Sequence, residues 1–462
     1  MPDLSFCRSE FPALRLRVGG RQAIFLDGPG GTQVPRRVID RMFTYLTREN
    51  ANVHGAWATS QATDRVIEEA RQAMADFLGA GPNEIAFGQN MTTLNFALSR
   101  ALGRGLHAGD EIIITDLDHE ANRGPWLALE EKGAVVRSVR VDPETCALDL
   151  NDLKAKLGPK TRILAVGGAS NAVGTVNDLA LIGRLAREAG ALFVVDAVHL
   201  APHKVIDVKA IGCDFLLCSA YKFFGPHLGV LYGRREAFEG LETYRLRPQS
   251  DAAPFRIETG TLVHEGIAGT IEAIEFIAGI GRKVGAMSPR TEMAGRRFTT
   301  ADAGGEGAGQ PTAGQGAGVS ERRRAVVAGM EAIDAYEQDL ADRLLAGLGR
   351  IPGLKLYGPP AGHPRTPTIS FRLAGHDPEA ISQHLAGKAV FAGAGDFYAL
   401  TLIERLGLAG RMGTGPGEPG GPGEPGTGPG EPGTGPGLLR MGLAPYNTRA
   451  ELERVVDLIR AL

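Results

Sequence analysis

Short apolar segments alternate with amphipathic segments between residues 22 and 285. Each apolar segment has the length and composition of a buried strand: EIAFG (84–88), EIIIT (111–115), RILAVG (162–167), LFVVD (192–196), FLLCS (215–219) and GVLYG (229–233). Helical patterns follow the first three, namely MTTLNFALSRAL (91–102), ANRGPWLALEEKG (121–133) and DLALIGRLAREAG (178–190). Such alternation predicts an α/β fold with a mostly parallel sheet that helices cover on both faces.

Two low-complexity segments interrupt the folded pattern. Residues 286–320 are rich in Gly, Ala, Thr and Gln, and we interpret them as a flexible insertion or linker. Residues 413–437, GTGPGEPGGPGEPGTGPGEPGTGPG, contain no apolar side chain larger than proline. Because only 25 residues follow this tract, too few for a separate domain, we expect it to be an insertion within a domain.

Composition excludes several classes of protein. The chain has 462 residues, 43% hydrophobic and 22% charged, as expected for a globular protein. A net charge of −3 gives no reason to expect binding to nucleic acid or to a membrane, and no apolar run is long enough for a membrane helix. The start lacks a secretory pattern and the four cysteines are scattered, so we expect a cytoplasmic protein without a metal site.

Polar side chains follow the predicted strands at the points where the strands end. Taken singly, each has an ordinary explanation: a capped turn, a helix cap or a surface lysine. Because the carboxyl ends of parallel strands share one edge of a sheet, where α/β proteins bind ligands, we expect the residues to converge. They are His119, Asn171, Asp196, His199, Ser219, Tyr221 and Lys222, together with Asn90, Met91 and Thr92 at a helix N-terminus suited to phosphate.

One cofactor chemistry uses this combination of residue types. A lysine at a strand end can form a Schiff base with pyridoxal 5′-phosphate (PLP), whose aldehyde makes the lysine productive as a nucleophile. An aspartate at a neighbouring strand end can pair with the pyridinium nitrogen and keep the ring an electron sink. Lys222 and Asp196 are the candidates for these roles, and the flat ring of His119 could stack on the cofactor.

Five segments resemble the class V aminotransferase group of PLP enzymes, in particular its cysteine desulfurase and selenocysteine lyase-like branch. They are SAYKFFGPHLGVLYG, VDAVHLAPH, DLDHEANRGPW, ASNAVGT and RIETGTLVHEGIAG. The resemblance implies a PLP fold-type I large domain, here 22–285, and a smaller α+β C-terminal domain, here 321–462. We expect residues 1–21 to pack on the small domain. The group typically forms homodimers with the active site at the subunit interface.

The resemblance assigns a role to each candidate residue. Lys222 matches the Schiff-base lysine, Asp196 the pyridinium partner, and His119 the stacking histidine. His199 stands where desulfurases usually have Gln, which donates to the phenolic oxygen of PLP. Arg440, in LLRMGLAPYNT, matches the arginine that binds the substrate carboxylate.

The remaining matches concern the phosphate and the substrate. Asn171 matches an asparagine near the phenolic oxygen and the substrate carboxylate. The other matches contact the phosphate, with Tyr221 replacing the usual histidine and Thr261 acting from the partner subunit: Asn90, Met91, Thr92, Ser219, Tyr221 and Thr261. Independently of the resemblance, Thr448 and Glu451 form a capping-box pattern that predicts the start of the last helix.

One departure from the family pattern bears on the reaction. Desulfurases carry a sulfur-accepting cysteine on a substrate-facing loop, and the aligned position here is Tyr398; no cysteine follows Cys218. We therefore expect a PLP enzyme that acts on an amino acid, with cleavage at the β- or γ-carbon as in a C–S lyase and without a persulfide relay. The alternatives are an aminotransferase, an epimerase, or a PLP-binding protein that has lost catalysis.

Overall fold

The computed structural model describes residues 3–287, 319–409 and 435–462. Most of the two predicted insertions, 288–318 and 413–434, therefore lies outside the described residues. The described α-helices are α1 Arg36–Thr44, α2 Ala58–Leu78, α3 Met91–Leu102, α4 Gly124–Leu127, α5 Leu150–Lys156, α6 Leu179–Glu188, α7 Val208–Ile211, α8 Arg235–Glu239, α9 His264–Met287, α10 Glu321–Leu348, α11 Pro378–Gly387, α12 Leu400–Arg405 and α13 Arg449–Arg460. The described strands are β1 Arg17–Val18, β2 Arg21–Gln22, β3 Ile24–Phe25, β4 Ile85–Gly88, β5 Glu111–Thr115, β6 Val135–Val139, β7 Thr161–Gly167, β8 Leu192–Asp196, β9 Phe215–Ser219, β10 Gly229–Gly233, β11 Leu354–Tyr357, β12 Thr368–Leu373, β13 Val390–Phe391, β14 Gly393–Gly395 and β15 Leu438–Gly442.

The larger sheet has the strand order β4-β10-β9-β8-β7-β5-β6. Strands β5 to β9 run parallel to one another, whereas β10 is antiparallel to both β4 and β9. Every residue of β9 and β10 is buried, as expected for strands that helices cover on both faces. The predicted α/β class with a mostly parallel sheet is confirmed.

Two local predictions were incomplete. Strand β6 was not predicted; it lies at the sheet edge, and only its last residue is fully buried, so its apolar signal is weak. The single helix expected over 121–133 is instead one α-helical turn, α4, between two 3₁₀ segments. Gly124 and Pro125 occupy its first two positions, where Pro cannot continue a preceding helix.

The smaller sheet is antiparallel, with strand order β11-β12-β15-β14. Its apolar face packs against α10 and α13 in a second hydrophobic core. The predicted capping box is confirmed, because Thr448 accepts a hydrogen bond from the N–H of Glu451 at the start of α13. Strand β15 places Arg440 between Ser370 of β12 and Gly393 of β14.

The N-terminal segment contacts both halves of the molecule. Arg8 forms an ion pair with Glu451 of α13 at 2.8 Å, while Phe11 packs edge-on against Phe224 and Phe276 of the larger core. Strand β3 also pairs with β13, beside the smaller sheet. The domain boundaries given above remain predictions. No helix in the described ranges is both long and apolar enough to cross a membrane.

Candidate active site

Lys222 lies in a 3₁₀ turn that follows β9 and is 8% exposed. Its Nζ atom donates hydrogen bonds to the backbone carbonyls of Pro29 and Gly30. Burial, together with the positive charge of Arg440, lowers the pKa of Lys222 to about 7, while Asp196 acts in the opposite direction. Near neutral pH, a large fraction of this amine is therefore unprotonated and can act as a nucleophile or base.

Asp196 ends β8 and is also buried. Its Oδ1 atom accepts a hydrogen bond of 2.9 Å from the N–H of Val198, and burial raises the pKa of its carboxyl to about 6. A second buried carboxylate, Asp118, accepts a hydrogen bond of 2.6 Å from the N–H of Gly167 and joins the ends of β5 and β7. Among the described residues, no cationic side chain contacts the Asp196 carboxylate directly.

His119 follows the end of β5. Its Nδ1 atom accepts a hydrogen bond of 3.0 Å from the N–H of Ala121, so the single proton of the neutral ring lies on Nε2. Burial and the charges of Lys222 and Arg440 lower the pKa of His119 to about 4, which keeps the ring neutral. Tyr398 stacks on it, with 5.5 Å between ring centroids and 19° between planes.

His199 lies three residues after Asp196, in the turn that follows β8. Its Nε2 atom contacts the hydroxyls of Thr366 at 3.1 Å and Thr368 at 2.9 Å, whereas Nδ1 is buried without a hydrogen-bond partner among the described residues. Burial first, and then nearby positive charge, lowers the pKa of His199 well below its usual value. The ring is therefore neutral.

The predicted phosphate loop is a capped helix N-terminus. The Asn90 side chain accepts a hydrogen bond from the N–H of Thr93 at 2.9 Å, and the N–H of Met91 donates to Ser219 Oγ at 3.1 Å. Thr92 is exposed in the first turn of α3. Gly229 passes so close that an added Cβ would meet the carbonyl carbon of Asn90 at 2.4 Å. Backbone crowding and Ser219 thus hold this N-terminus at the end of β9.

Arg440, Asn171 and Phe397 are connected by two hydrogen bonds and one cation–π contact. Arg440 donates to the backbone carbonyl of Asn171 at 3.0 Å, and the Asn171 amide donates to the carbonyl of Phe397 at 2.8 Å. The guanidinium lies 3.9 Å from the centroid of the Phe397 ring, and burial lowers the pKa of Arg440 to about 10. Asn171 Oδ1 is buried without a partner within the described residues.

Tyr221 lies beside Lys222, and Thr261 lines a cavity next to the predicted phosphate loop. The Tyr221 ring stacks on His227 with 4.9 Å between centroids, and Lys222 Nζ lies 4.9 Å from the Tyr221 ring centre. Thr261 is exposed on the wall of a cavity of about 540 Å³. Gln89 and Thr93, the neighbours of the predicted phosphate loop, line the same cavity.

All four cysteines are buried. Burial raises the pKa of each thiol, that of Cys7 to about 12, which opposes thiolate formation. Tyr398, by contrast, is 69% exposed on the loop that carries Phe397. Both loop residues have a φ of 58°, in the left-handed region that non-glycine residues seldom adopt.

Sequence reasoning missed several residues that contact the candidates. The carbonyls of Pro29 and Gly30 hold Lys222; their only sequence signal is the glycine-rich stretch GPGG after β3. Phe397 and the threonines of RTPT (365–368) had no distinctive spacing, because they act across large sequence separations. In the described residues, no cluster of three or more His, Cys, Asp or Glu side chains could hold a metal ion.

The chain is similar to known proteins over nearly its whole length. It is 34% identical over 462 residues to a probable cysteine desulfurase of Synechocystis sp.. The matched region covers 98% of this chain and 94% of that protein. A probable cysteine desulfurase of Mycolicibacterium paratuberculosis is 33% identical over 413 residues, 88% of this chain but 54% of that longer protein.

Two solved structures share the fold. The apo cysteine desulfurase of Thermococcus onnurineus NA1 superposes with a TM-score of 0.78 at 24% identity, over 100% of this chain and 98% of that one. The cysteine desulfurase CsdA of Escherichia coli gives 0.75 at 23% identity, with the same coverage. The sequence profile of the family "Aminotransferase class-V" matches residues 24–288 and 282–455. The chain therefore belongs to the aminotransferase class-V family and is a cysteine desulfurase-like enzyme.

Proposed function

We propose that this enzyme binds PLP at the carboxyl edge of the larger sheet and acts on an amino acid. The residues present fit the cofactor. Lys222 offers a partly neutral amine, Asp196 a buried carboxylate without a cation in contact, and the Met91 N–H and Ser219 lie at a helix N-terminus. His199 Nδ1 and Asn171 Oδ1 are buried polar atoms without partners in the described chain, as expected where a polar ligand belongs.

PLP, when bound, supplies an electron sink for bonds to the substrate Cα. Lys222 is suited to accept the Cα proton, because its pKa of about 7 leaves a basic, unprotonated amine at neutral pH. Arg440 would bind the carboxylate and orient the substrate. His119 would donate from Nε2, since its Nδ1 already accepts from Ala121.

We propose C–S bond cleavage without a persulfide relay. In this reaction Lys222 would take the Cα proton, the electrons of the Cα–H bond would form a carbon–carbon double bond in the product, and sulfur would leave with the C–S bonding electrons as sulfide or a thiol. The observation that carries this proposal is the burial of every cysteine with a raised thiol pKa, while the aligned loop position holds Tyr398. A phenol cannot store sulfur as a persulfide.

The test is a panel of amino acids assayed for sulfide, keto acid and racemisation. A variant with all four cysteines replaced by Ala should retain turnover of a sulfur-containing substrate if it still folds and binds PLP. A protein-bound persulfide on the wild type during turnover would contradict the proposal. Transfer of the amino group or racemisation as the main outcome would instead favour an aminotransferase or an epimerase.

The cofactor assignment has a separate test. Borohydride reduction of the PLP-loaded protein should attach the pyridoxyl group to Lys222, as read by peptide mass. Lys222→Ala should abolish this label, whereas Lys204→Ala, which removes a lysine paired with Asp334 at 2.7 Å, should retain it. Labelling of another lysine would show that Lys222 is misassigned, and no label would support a protein that does not use PLP.

A further inference from the structure

Two threonines beside the smaller sheet contact the histidine that follows β8. Thr366 and Thr368 are each 0% exposed and His199 is 4% exposed, so water does not compete for these contacts. The Thr368 hydroxyl lies 2.9 Å from His199 Nε2, and the Thr366 hydroxyl lies 3.1 Å from the same atom. The contact therefore connects β12 directly with the carboxyl edge of the larger sheet.

The partners of the two threonine hydroxyls determine which nitrogen of the His199 ring carries the proton. Among the described residues, Thr368 Oγ1 contacts no other hydrogen-bonding partner, whereas Thr366 Oγ1 also lies 3.5 Å from the carbonyl of Gly174. If Nε2 carried the proton, the hydroxyl proton of Thr368 would be buried without an acceptor, which is unfavourable. If Nε2 is the acceptor, Thr368 donates to it and the conflict disappears.

The other ring nitrogen is then a buried donor. His199 Nδ1 has no partner among the described residues. The adjacent His203 ring, 5.4 Å away between centroids and inclined at 73°, makes no hydrogen bond to this nitrogen, and its own Nδ1 is engaged with Glu337 at 2.8 Å. Lys222, Arg440 and His119 all lie near enough to influence the titration of His199, so the ring borders the candidate active site.

We propose that Thr368 is a positioning residue that holds His199 in the Nδ1–H tautomer and thereby makes it a hydrogen-bond donor to an anionic oxygen of the cofactor. The identity of that acceptor rests on the proposed function, but the tautomer does not. Thr368, in the smaller sheet, thus determines which nitrogen of His199, beside the larger sheet, donates a hydrogen bond. Thr366 has a second acceptor for its hydroxyl proton, the carbonyl of Gly174 at 3.5 Å, and therefore does not determine the tautomer.

The tautomer can be measured without cofactor. In cofactor-free protein labelled with ¹⁵N-histidine, we expect the His199 Nδ1 signal in the protonated range and Nε2 in the unprotonated range. Comparison with His199→Gln identifies the signal among the ten histidines. An Nε2–H tautomer in the wild type would overturn the proposal, whatever the protein does with PLP.

Matched variants test the role of the hydroxyl. Thr368→Val keeps the side-chain shape and removes the donor, so the ring should become a mixture of tautomers, whereas Thr368→Ser should retain the wild-type signals. With PLP added, Thr368→Val should weaken its binding about tenfold, the equivalent of one buried hydrogen bond, and shift its absorbance. Unchanged ¹⁵N signals in Thr368→Val would overturn the role of Thr368.

The two proposals fail in different ways. If the wild type shows the Nδ1–H tautomer but binds no PLP, the cofactor assignment is wrong and the positioning by Thr368 stands. Should Thr368→Val not fold, the wild-type spectrum and Thr366→Val remain as tests. Thr366→Val should leave the tautomer unchanged, because Thr368 still donates to Nε2, and a changed tautomer would contradict the assignment of donors.

Discussion

The aromatic ring of Phe397 packs against the guanidinium of Arg440, with 3.9 Å between the Cζ atom and the ring centroid. Arg440 also donates to the carbonyl of Asn171, whose amide in turn binds the Phe397 carbonyl. The arginine is therefore fixed on one face by a ring and at one nitrogen by the backbone. A rigid, weakly hydrated guanidinium of this kind is suited to bidentate recognition of a carboxylate.

Phe397→Leu should weaken amino-acid binding. Loss of the ring removes a cation–π contact that is worth about 0.5–2 kcal/mol, so we expect KM for the best amino acid of the panel to rise about 2- to 30-fold. Turnover at saturation should change little. The corresponding amine without a carboxylate should show no change, and Phe391→Leu, in β13, serves as the control. An equal loss for amine and amino acid would exclude a role for Phe397 through Arg440.

Asp196→Asn should stabilise the cofactor-free protein at neutral pH. Its folded pKa of about 6 lies above the reference value of 3.8, so the charged form is penalised in the folded state. The penalty is absent below pH 3.8, grows as pH rises to 6 and is then constant at about 3 kcal/mol. The gain in unfolding free energy should therefore be present at pH 8 and shrink below pH 6.

Two controls accompany this measurement. Asp116→Asn should destabilise the protein instead, because the buried Asp116 forms an ion pair with Arg405 at 2.8 Å. Adding PLP should reverse the order of wild type and Asp196→Asn, since a cationic ring nitrogen would favour the carboxylate. A cofactor-free Asp196→Asn protein that is less stable than wild type at pH 8 would contradict the assigned pKa shift.

Removal of residues 413–434 should leave folding and PLP binding nearly unchanged. The described flanks already meet, because the N–H of Gly437 donates to the carbonyl of Leu408 at 2.9 Å, so a short Gly-Ser turn can join them. Shortening a surface connection changes the free energy by only about 0.6 kcal/mol per halving of its length. We expect a Tm within a few degrees of wild type.

The comparison for this deletion is Gly437→Val. Gly437 has a φ of 80° and an added Cβ would meet the Gly395 backbone at 2.5 Å, so this variant should lose stability clearly. If the deletion lowers Tm as much as Gly437→Val does, the tract contributes packing that its composition does not predict.

Mixed subunits can test the predicted homodimer. If Thr261 contacts the phosphate of the partner subunit, a heterodimer of Lys222→Ala and Thr261→Ala chains contains one intact site. PLP affinity and activity should then recover to about half of wild type per chain. The exposed position of Thr261, on a cavity that Gln89 also lines, suits this role. No recovery on mixing, or full activity in a dilute monomer, would exclude the predicted contact of Thr261 with the phosphate of the partner subunit.

Strong local signals made much of the fold predictable. The six predicted strands appear in the larger sheet because continuous apolar runs leave few alternatives to burial on both faces. The capping pattern of Thr448 and Glu451 acts within four residues and was likewise readable. Strand β6 and the broken segment around Gly124 escaped prediction, because edge strands and single helical turns depend on neighbours more than on their own pattern.

Residue types and their spacing along the chain predict which chemical groups are available: one lysine and one aspartate at successive strand ends, a capped helix for phosphate, and no cysteine after Cys218. Tertiary packing sets the protonation state of these groups. Burial brings the pKa values of Lys222 and Asp196 close to neutrality, and Thr368 selects the proton position on His199 from 169 residues away. Such properties arise from desolvation and contacts between distant segments, and neither is encoded in local spacing.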